Sequence, residues 1–186
     1  MLNDRWTERC FAQRVHPLEG EIPQRAGRFG LVLARDEKGV YPVGLFEVCG
    51  KAVIYPPQTL NPREEESLLA AAIGLTGMWE EQGVLTLHFA KQRDGSDFAL
   101  FGAEEELSAE ARHLLTMRGL WDGTGASFLS PGTQAAPELL ELPVVGVSSG
   151  ETLYIADDLL HALQELPEDV QNTLTGWYET FLRHDG

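Results

Sequence analysis

Phe29-Gly-Leu-Val-Leu-Ala-Arg35, then Asp36-Glu-Lys-Gly39, then Val40-Tyr-Pro-Val-Gly-Leu-Phe-Glu-Val48, then Gly50 and Ala52-Val-Ile-Tyr55, form three β-branched and aromatic runs divided by turn residues. Runs of this kind suit a pleated, half-buried surface, and short Gly-containing breaks reverse the chain, so the stretch predicts a three-stranded antiparallel meander. Pro42 has no backbone N–H to give a ladder and is expected on an edge or at a bulge. Tyr55-Pro-Pro57 closes the sheet.

Downstream, Asn61 is a good N-cap, Pro62 suits the first helical position, and Glu64, Glu65 and Glu66 place negative charge where the helix dipole favours it. Leu68, Ala72, Leu75 and Trp79 recur at helical spacing, with Gly83 as the expected stop. Gly74 and Gly77 each cost a helix roughly 1 kcal/mol relative to Ala, which a closely approaching backbone would explain. Val84 to Ala90 and Phe98 to Phe101, joined through Asp94-Gly95, predict a second hairpin. Glu104 to Met117 reads as a helix, with Ser108 an alternative start. Upstream, Asn3 to Val15, with Trp6 and Cys10 four apart, reads as a short amphipathic helix, and 17–28 as a loop.

Residues 119–138, rich in Gly, Ser, Thr and Pro, read as a connector between a 1–118 module and a 139–186 extension. In that extension Leu142 to Val147 and Thr152 to Ile155 predict a hairpin around Ser148-Ser149-Gly150. Asp157 is expected to cap one helix, and Pro167 to begin another lined by Val170, Leu174, Trp177 and Phe181. The expected fold class is therefore α+β: a three-stranded meander plus a hairpin, packed by helices, with a C-terminal β-hairpin and two-helix extension folding onto the first module as one domain.

The chain of 186 residues carries a formal charge of −15. Residues 1–58 sum to +1, residues 59–118 to −6 and residues 119–186 to −10. Such a surface repels phosphate backbones, so nucleic acid and anionic membranes are not expected partners, while a basic protein is. The alternative is that the charge serves solubility. The apolar runs are too short to span a bilayer, and the start of the chain lacks a secretion signal, which gives a cytoplasmic expectation. Cys10 and Cys49 are expected as reduced core thiols.

No residue set predicts catalysis, a cofactor or a metal. Asp122-Gly-Thr-Gly-Ala-Ser127 approximates an aspartic protease signature, but Gly123 separates the carboxylate from Thr124. Glu80-Glu-Gln-Gly-Val84 resembles the end of the Nudix hydrolase box, whose helix carboxylates bind magnesium. The box's leading glycine falls here on Pro62, its first glutamate on Leu68, and its Arg-Glu pair on Thr76 and Gly77. Glu80 and Glu81 are thus the candidate metal ligands of a degenerate site. His16, His88, His113, His161 and His184 show no metal-ligand spacing. Cys49 is expected as a buried structural cysteine, the alternative being a thiol activated by the ammonium of nearby Lys51.

The order helix, three strands, helix, two strands, helix over residues 3–117 resembles the fold of the type III secretion chaperones and the YbjN-like proteins. That resemblance implies a homodimer that binds extended client segments without catalysis. The resulting expectation is a non-catalytic, chaperone- or adaptor-like module that binds a protein partner, with Trp79, Trp177 and Phe181 as candidate contact residues. The alternatives are an immunity-type inhibitor of a basic toxin or nuclease, and a metal-dependent hydrolase using Glu80 and Glu81.

Overall fold

The alternating apolar positions of the first strands reappear in a computed structural model as the two faces of one broad sheet. Residues 4–18, 27–36, 39–77, 83–91, 98–117 and 145–174 are described. In chain order the elements are α1 (Asp4–Ala12), β1 (His16–Pro17), β2 (Arg28–Asp36), β3 (Gly39–Cys49), β4 (Ala52–Tyr55), α2 (Pro62–Thr76), β5 (Gly83–Lys91), β6 (Phe98–Glu104), α3 (Ala109–Met117), β7 (Val145–Ser149), β8 (Thr152–Ala156) and α4 (Leu159–Gln164), followed by helical residues 168–174.

The fold is α+β, as the sequence implies, but the sheet is larger and mixed. Eight described strands run β1-β6-β5-β2-β3-β4-β7-β8. All neighbours are antiparallel except β1, which lies parallel to β6 through His16↔Ala99 and Pro17↔Leu100. The hairpin β5-β6 joins on the outer side of β2, and β7-β8 adds to β4 through pairs such as Ile54↔Val147. The C-terminal hairpin is therefore a flank of the same sheet. Two residues of β1 are too few to leave a periodic signal in the sequence.

Pro42 sits where both of its expectations meet. It pairs with Leu33 at the register shift after Val32, while β4 pairs only with Glu47, Val48 and Cys49, at the other end of β3. No strand among the described residues needs an N–H from Pro42.

Phe29, Leu31, Leu33, Leu85, Leu87, Phe89 and Leu100 project to one face, where Trp6 and Cys10 of α1 and Leu68, Ala72 and Leu75 of α2 cover them. Burying each such leucine contributes about 1.5–3 kcal/mol, which holds both helices down. Further along the same face, Ile54 and Val147 pack under Ala162 of α4 and under Val170 and Leu174. The opposite face carries Val32, Ala34, Val43, Phe46 and Tyr55 and is crossed by α3 through Ala111, Leu114 and Leu115.

Several local boundaries differ from expectation for identifiable reasons. α2 has the full capping box, Asn61 accepting from Glu64 N–H and Glu64 accepting from Asn61 N–H, but its described helix ends at Thr76 with Gly77 as C-cap. Gly83 instead opens β5 at φ +139°, a conformation that favours glycine. Space at Gly74 is taken by the Gln13 side chain, 3.2 Å from where a Cβ would lie, and not by a neighbouring backbone. Glu104 belongs to β6, so α3 takes the later start, with Ser108 Oγ accepting from Ala111 N–H at 3.1 Å. Asp158 caps α4, one residue after the expected Asp157.

Candidate functional site

Two glycines in the strands determine what the α3 face displays. A Cβ on Gly30 would lie 1.9 Å from Phe46 Cζ, and one on Gly102 would lie 3.2 Å from His88 Cδ2, so each bare backbone seats the ring of a neighbouring strand. The result is a row of five rings crossing the sheet: Phe101 to His88 at 5.8 Å, His88 to Phe46 at 5.9 Å, Phe46 to Tyr55 at 6.1 Å, and Tyr55 to His113 of α3 at 6.1 Å. Phe46 and Tyr55 are fully buried, whereas Phe101 and His88 reach the surface in part.

The buried end of the row is a polar chain with a fixed direction. His113 Nε2 lies 3.3 Å from the Glu151 carbonyl oxygen, which can only accept, so Nε2 carries the hydrogen and Nδ1 is an acceptor. Tyr55 Oη, 3.1 Å from Nδ1, donates to it, and Ser148 Oγ, 2.9 Å away, donates to Tyr55. Burial holds the His113 pKa below its ordinary value, and it pushes the Tyr55 hydroxyl up. Alongside, Arg112 pairs with Glu151 at 2.5 Å, and Thr86 Oγ1 bonds Ser108 Oγ at 2.9 Å, tying the start of α3 to β5.

The open end collects charge around two aromatic faces. His88 Nε2 lies 2.8 Å from Glu104 Oε1, and that bond holds the Glu104 carboxyl below its usual range. The Arg28 guanidinium stands 5.6 Å over the Phe101 ring. Its Nε is buried without a hydrogen-bond partner, and burial lowers its pKa against the counter-pull of Glu110 at the start of α3. A guanidinium beside a ring and an imidazole is an arrangement that attracts anions and stacks planar ligands.

Other groups singled out by sequence have structural roles or lie elsewhere. Trp79, Glu80, Glu81, Trp177 and Phe181 lie outside the described residues, as do the connector 119–138 and the Asp122 turn. Both cysteines are free and buried. Burial, with Glu47 nearby, pushes the Cys49 thiol strongly up, so Lys51 does not activate it. Glu47 accepts from Gln58 N–H at 2.8 Å, Thr59 N–H at 3.2 Å and Thr59 Oγ1 at 2.8 Å, fixing the segment between β4 and α2. Among the described residues no group of three His, Cys, Asp or Glu is placed to hold a metal ion. None of the helices searched among them is long and apolar enough to cross a membrane.

The ring row was missed in the sequence because its members come from five elements. Isolated glycines within strand patterns were the available signal, since they mark close approach of another group. Ser148, expected as turn chemistry, is instead a buried strand residue.

No family model matches the chain, and no curated protein sequence matches it. Its structure is similar to pyruvate carboxylase from Rhizobium etli, with TM-score 0.60 and 14% identity over 75% of this chain and 16% of that one. It is also similar to the biotin carboxylase domain dimer of the Hydrogenobacter thermophilus 2-oxoglutarate carboxylase, solved with MgADP and bicarbonate, with TM-score 0.53 and 12% identity over 69% of this chain and 30% of that one. A third likeness is to biotin carboxylase from Campylobacter jejuni in a β-γ-ATP complex, with TM-score 0.55 and 16% identity over 69% and 30%. This chain therefore spans less than a third of each.

The likeness is one of fold, to part of the ATP-grasp fold of biotin carboxylases. It overturns the secretion-chaperone and YbjN-like resemblance, which rested on element order alone. That order fits both folds until strand pairing is known, and the placement of β5-β6 beside β2 is a matter of pairing. The non-catalytic adaptor reading falls with it, because the similar domains belong to carboxylases, two of them solved with adenine nucleotides. The inhibitor and Nudix-like alternatives find no similar structure among these neighbours.

Proposed function

We propose that this chain is an adenine-nucleotide-binding module of ATP-grasp type, serving an ATP-dependent carboxylation or ligation. The observation that carries this reading is the fold likeness to biotin carboxylase domains solved with MgADP and with an ATP ligand, over 69% of the chain in both cases. The open end of the ring row supports it: Arg28, held over the half-buried Phe101 ring, offers a cation for phosphate, and His88 with Glu104 polar groups for a base or sugar. Magnesium does not fit the described residues, since Glu104 is bonded to His88 and no ligand trio is present among them, so no chemical step is routed through a metal. A homodimer stays part of the proposal, one neighbour being a domain dimer.

Calorimetric titration of the full chain with ADP and ATP, with and without magnesium, tests the proposal. Saturable binding that weakens at least about tenfold in Arg28→Gln is expected, a loss of the size set by one charge-assisted contact. No binding of either nucleotide in any arm would overturn it. Light scattering of the same sample reads the dimer.

A further inference from the structure

We propose that His113, Tyr55 and Ser148 form a proton-sensitive latch that seats α3 on the sheet, so that acidification loosens α3 from the face carrying Arg28. This inference is independent of nucleotide binding. α3 is the one helix that crosses this face among the described residues, and Gly44 and Gly146 mark its path: Leu114 Cδ2 and Met117 Cε each come within 2.9 Å of where a Cβ would lie. At those two strands the helix rests on bare backbone, while Ala111, Leu114 and Leu115 pack into the apolar cluster beneath it.

Beside that apolar packing, the middle of the helix carries a directional contact at His113. With the Nε2 hydrogen committed to the Glu151 carbonyl, Nδ1 accepts from Tyr55 only while the imidazole is neutral. A proton taken from solvent onto Nδ1 turns that acceptor into a donor. Tyr55 must then rotate to accept it and send its own hydrogen to Ser148, whose hydroxyl loses Tyr55 as its acceptor. The new charge lies in a buried setting. Tyr55 faces it from β4, Ser148 from β7, Glu151 from the β7–β8 turn, and Glu110 and Arg112 from α3 itself. The two carboxylates favour the imidazolium and Arg112 opposes it, but the Glu151 carboxylate is already paired with Arg112, and desolvation outweighs the rest.

The same protonation reaches the open end of the ring row. Glu110, in the first turn of α3, is the acidic group that offsets burial of Arg28, so a displaced α3 leaves that guanidinium less compensated.

The test is a pH titration of the full chain labelled with 15N, reading the His113 ring nitrogens and the hydrogen-exchange protection of α3 against that of β2 and β5. His113 should titrate below about pH 6.5, and α3 protection should fall roughly tenfold further than strand protection on going from about pH 7.5 to about pH 5. His113→Asn should abolish that difference. Ser148→Ala, which removes the acceptor needed by the protonated arrangement and leaves the neutral His113–Tyr55 bond in place, should move the midpoint lower. Titration of His113 at or above about pH 6.5, or α3 protection that tracks the strands throughout in the wild-type chain, would overturn the latch.

Discussion

The tip of the Phe46 ring occupies the place where any residue other than glycine at position 30 would carry its Cβ, with Phe46 Cζ 1.9 Å from that point and both Cε atoms 2.4 Å away. Phe46 is fully buried between His88 and Tyr55, so the ring has nowhere to retreat. Gly30→Ala should therefore destabilise the fold by about 1–3 kcal/mol, the usual cost of overpacking, measured as a lower urea midpoint. An unchanged midpoint would show that the ring can slide without loss.

Glu47 carries a stability signature of definite sign. Burial raises its folded pKa above the ordinary value despite the hydrogen bonds from Gln58 and Thr59 that favour the carboxylate. The folded state then holds that proton more tightly than the unfolded state, so this group's contribution falls as pH rises from the unfolded value through the folded one. Glu47→Gln should remove that falling arm while keeping an acceptor for the segment 58–59. Glu47→Ala should cost about 1–3 kcal/mol by stranding buried donors. Urea titrations across the acidic range compare the three chains.

His113 works in the opposite direction. Its folded pKa is lowered, so the unfolded state takes up the proton first, and its contribution, present above the unfolded value, is lost as pH falls through the folded one. Replacing His113 with Asn should flatten that acid-side loss without altering the Glu47 arm, which the same urea series reads.

Ser108 serves two partners, accepting from Ala111 N–H and bonding Thr86. Ser108→Ala should cost about 0.5–2 kcal/mol, as loss of an N-cap does, and circular dichroism with thermal melting checks it. Asn61→Ala should cost a similar amount, about 1 kcal/mol, by opening the capping box with Glu64. Equal melting temperatures for either variant and the wild type would remove that cap from the list of stabilising contacts.

Much of the local structure was legible because its causes are local. Asn61, Pro62 and Glu64 state the start of α2, and short apolar runs bounded by turn residues state β2 and β3. Pairing was not legible, since β2 could take β5, β4 or β7 beside it without any change in its own pattern. The parallel contact of His16 and Pro17 is shorter than any period. The site was hidden for the same reason: His88 meets Glu104, and Tyr55 meets His113 and Ser148, only through the register of distant strands, and no residue of these pairs has a telling neighbour in sequence. The spacing of the histidines speaks only to metal binding, whereas His113 serves as a hydrogen-bond acceptor.

The seating of β7 against β4 places a strand beside one made some ninety residues earlier, Ala52 against Ser149 and Tyr55 against Gly146. A ribosome has released Ala52 to Tyr55 long before Val145 to Ser149 emerge, so the nascent chain presents β4 with one edge bare and Ile54 awaiting its cover from Val147 and α4. Such an edge is a template for the wrong strand until the right one arrives. Ordered synthesis thus leaves this sheet open to misassembly until β7 and β8 arrive, and that later hairpin acts as the seal.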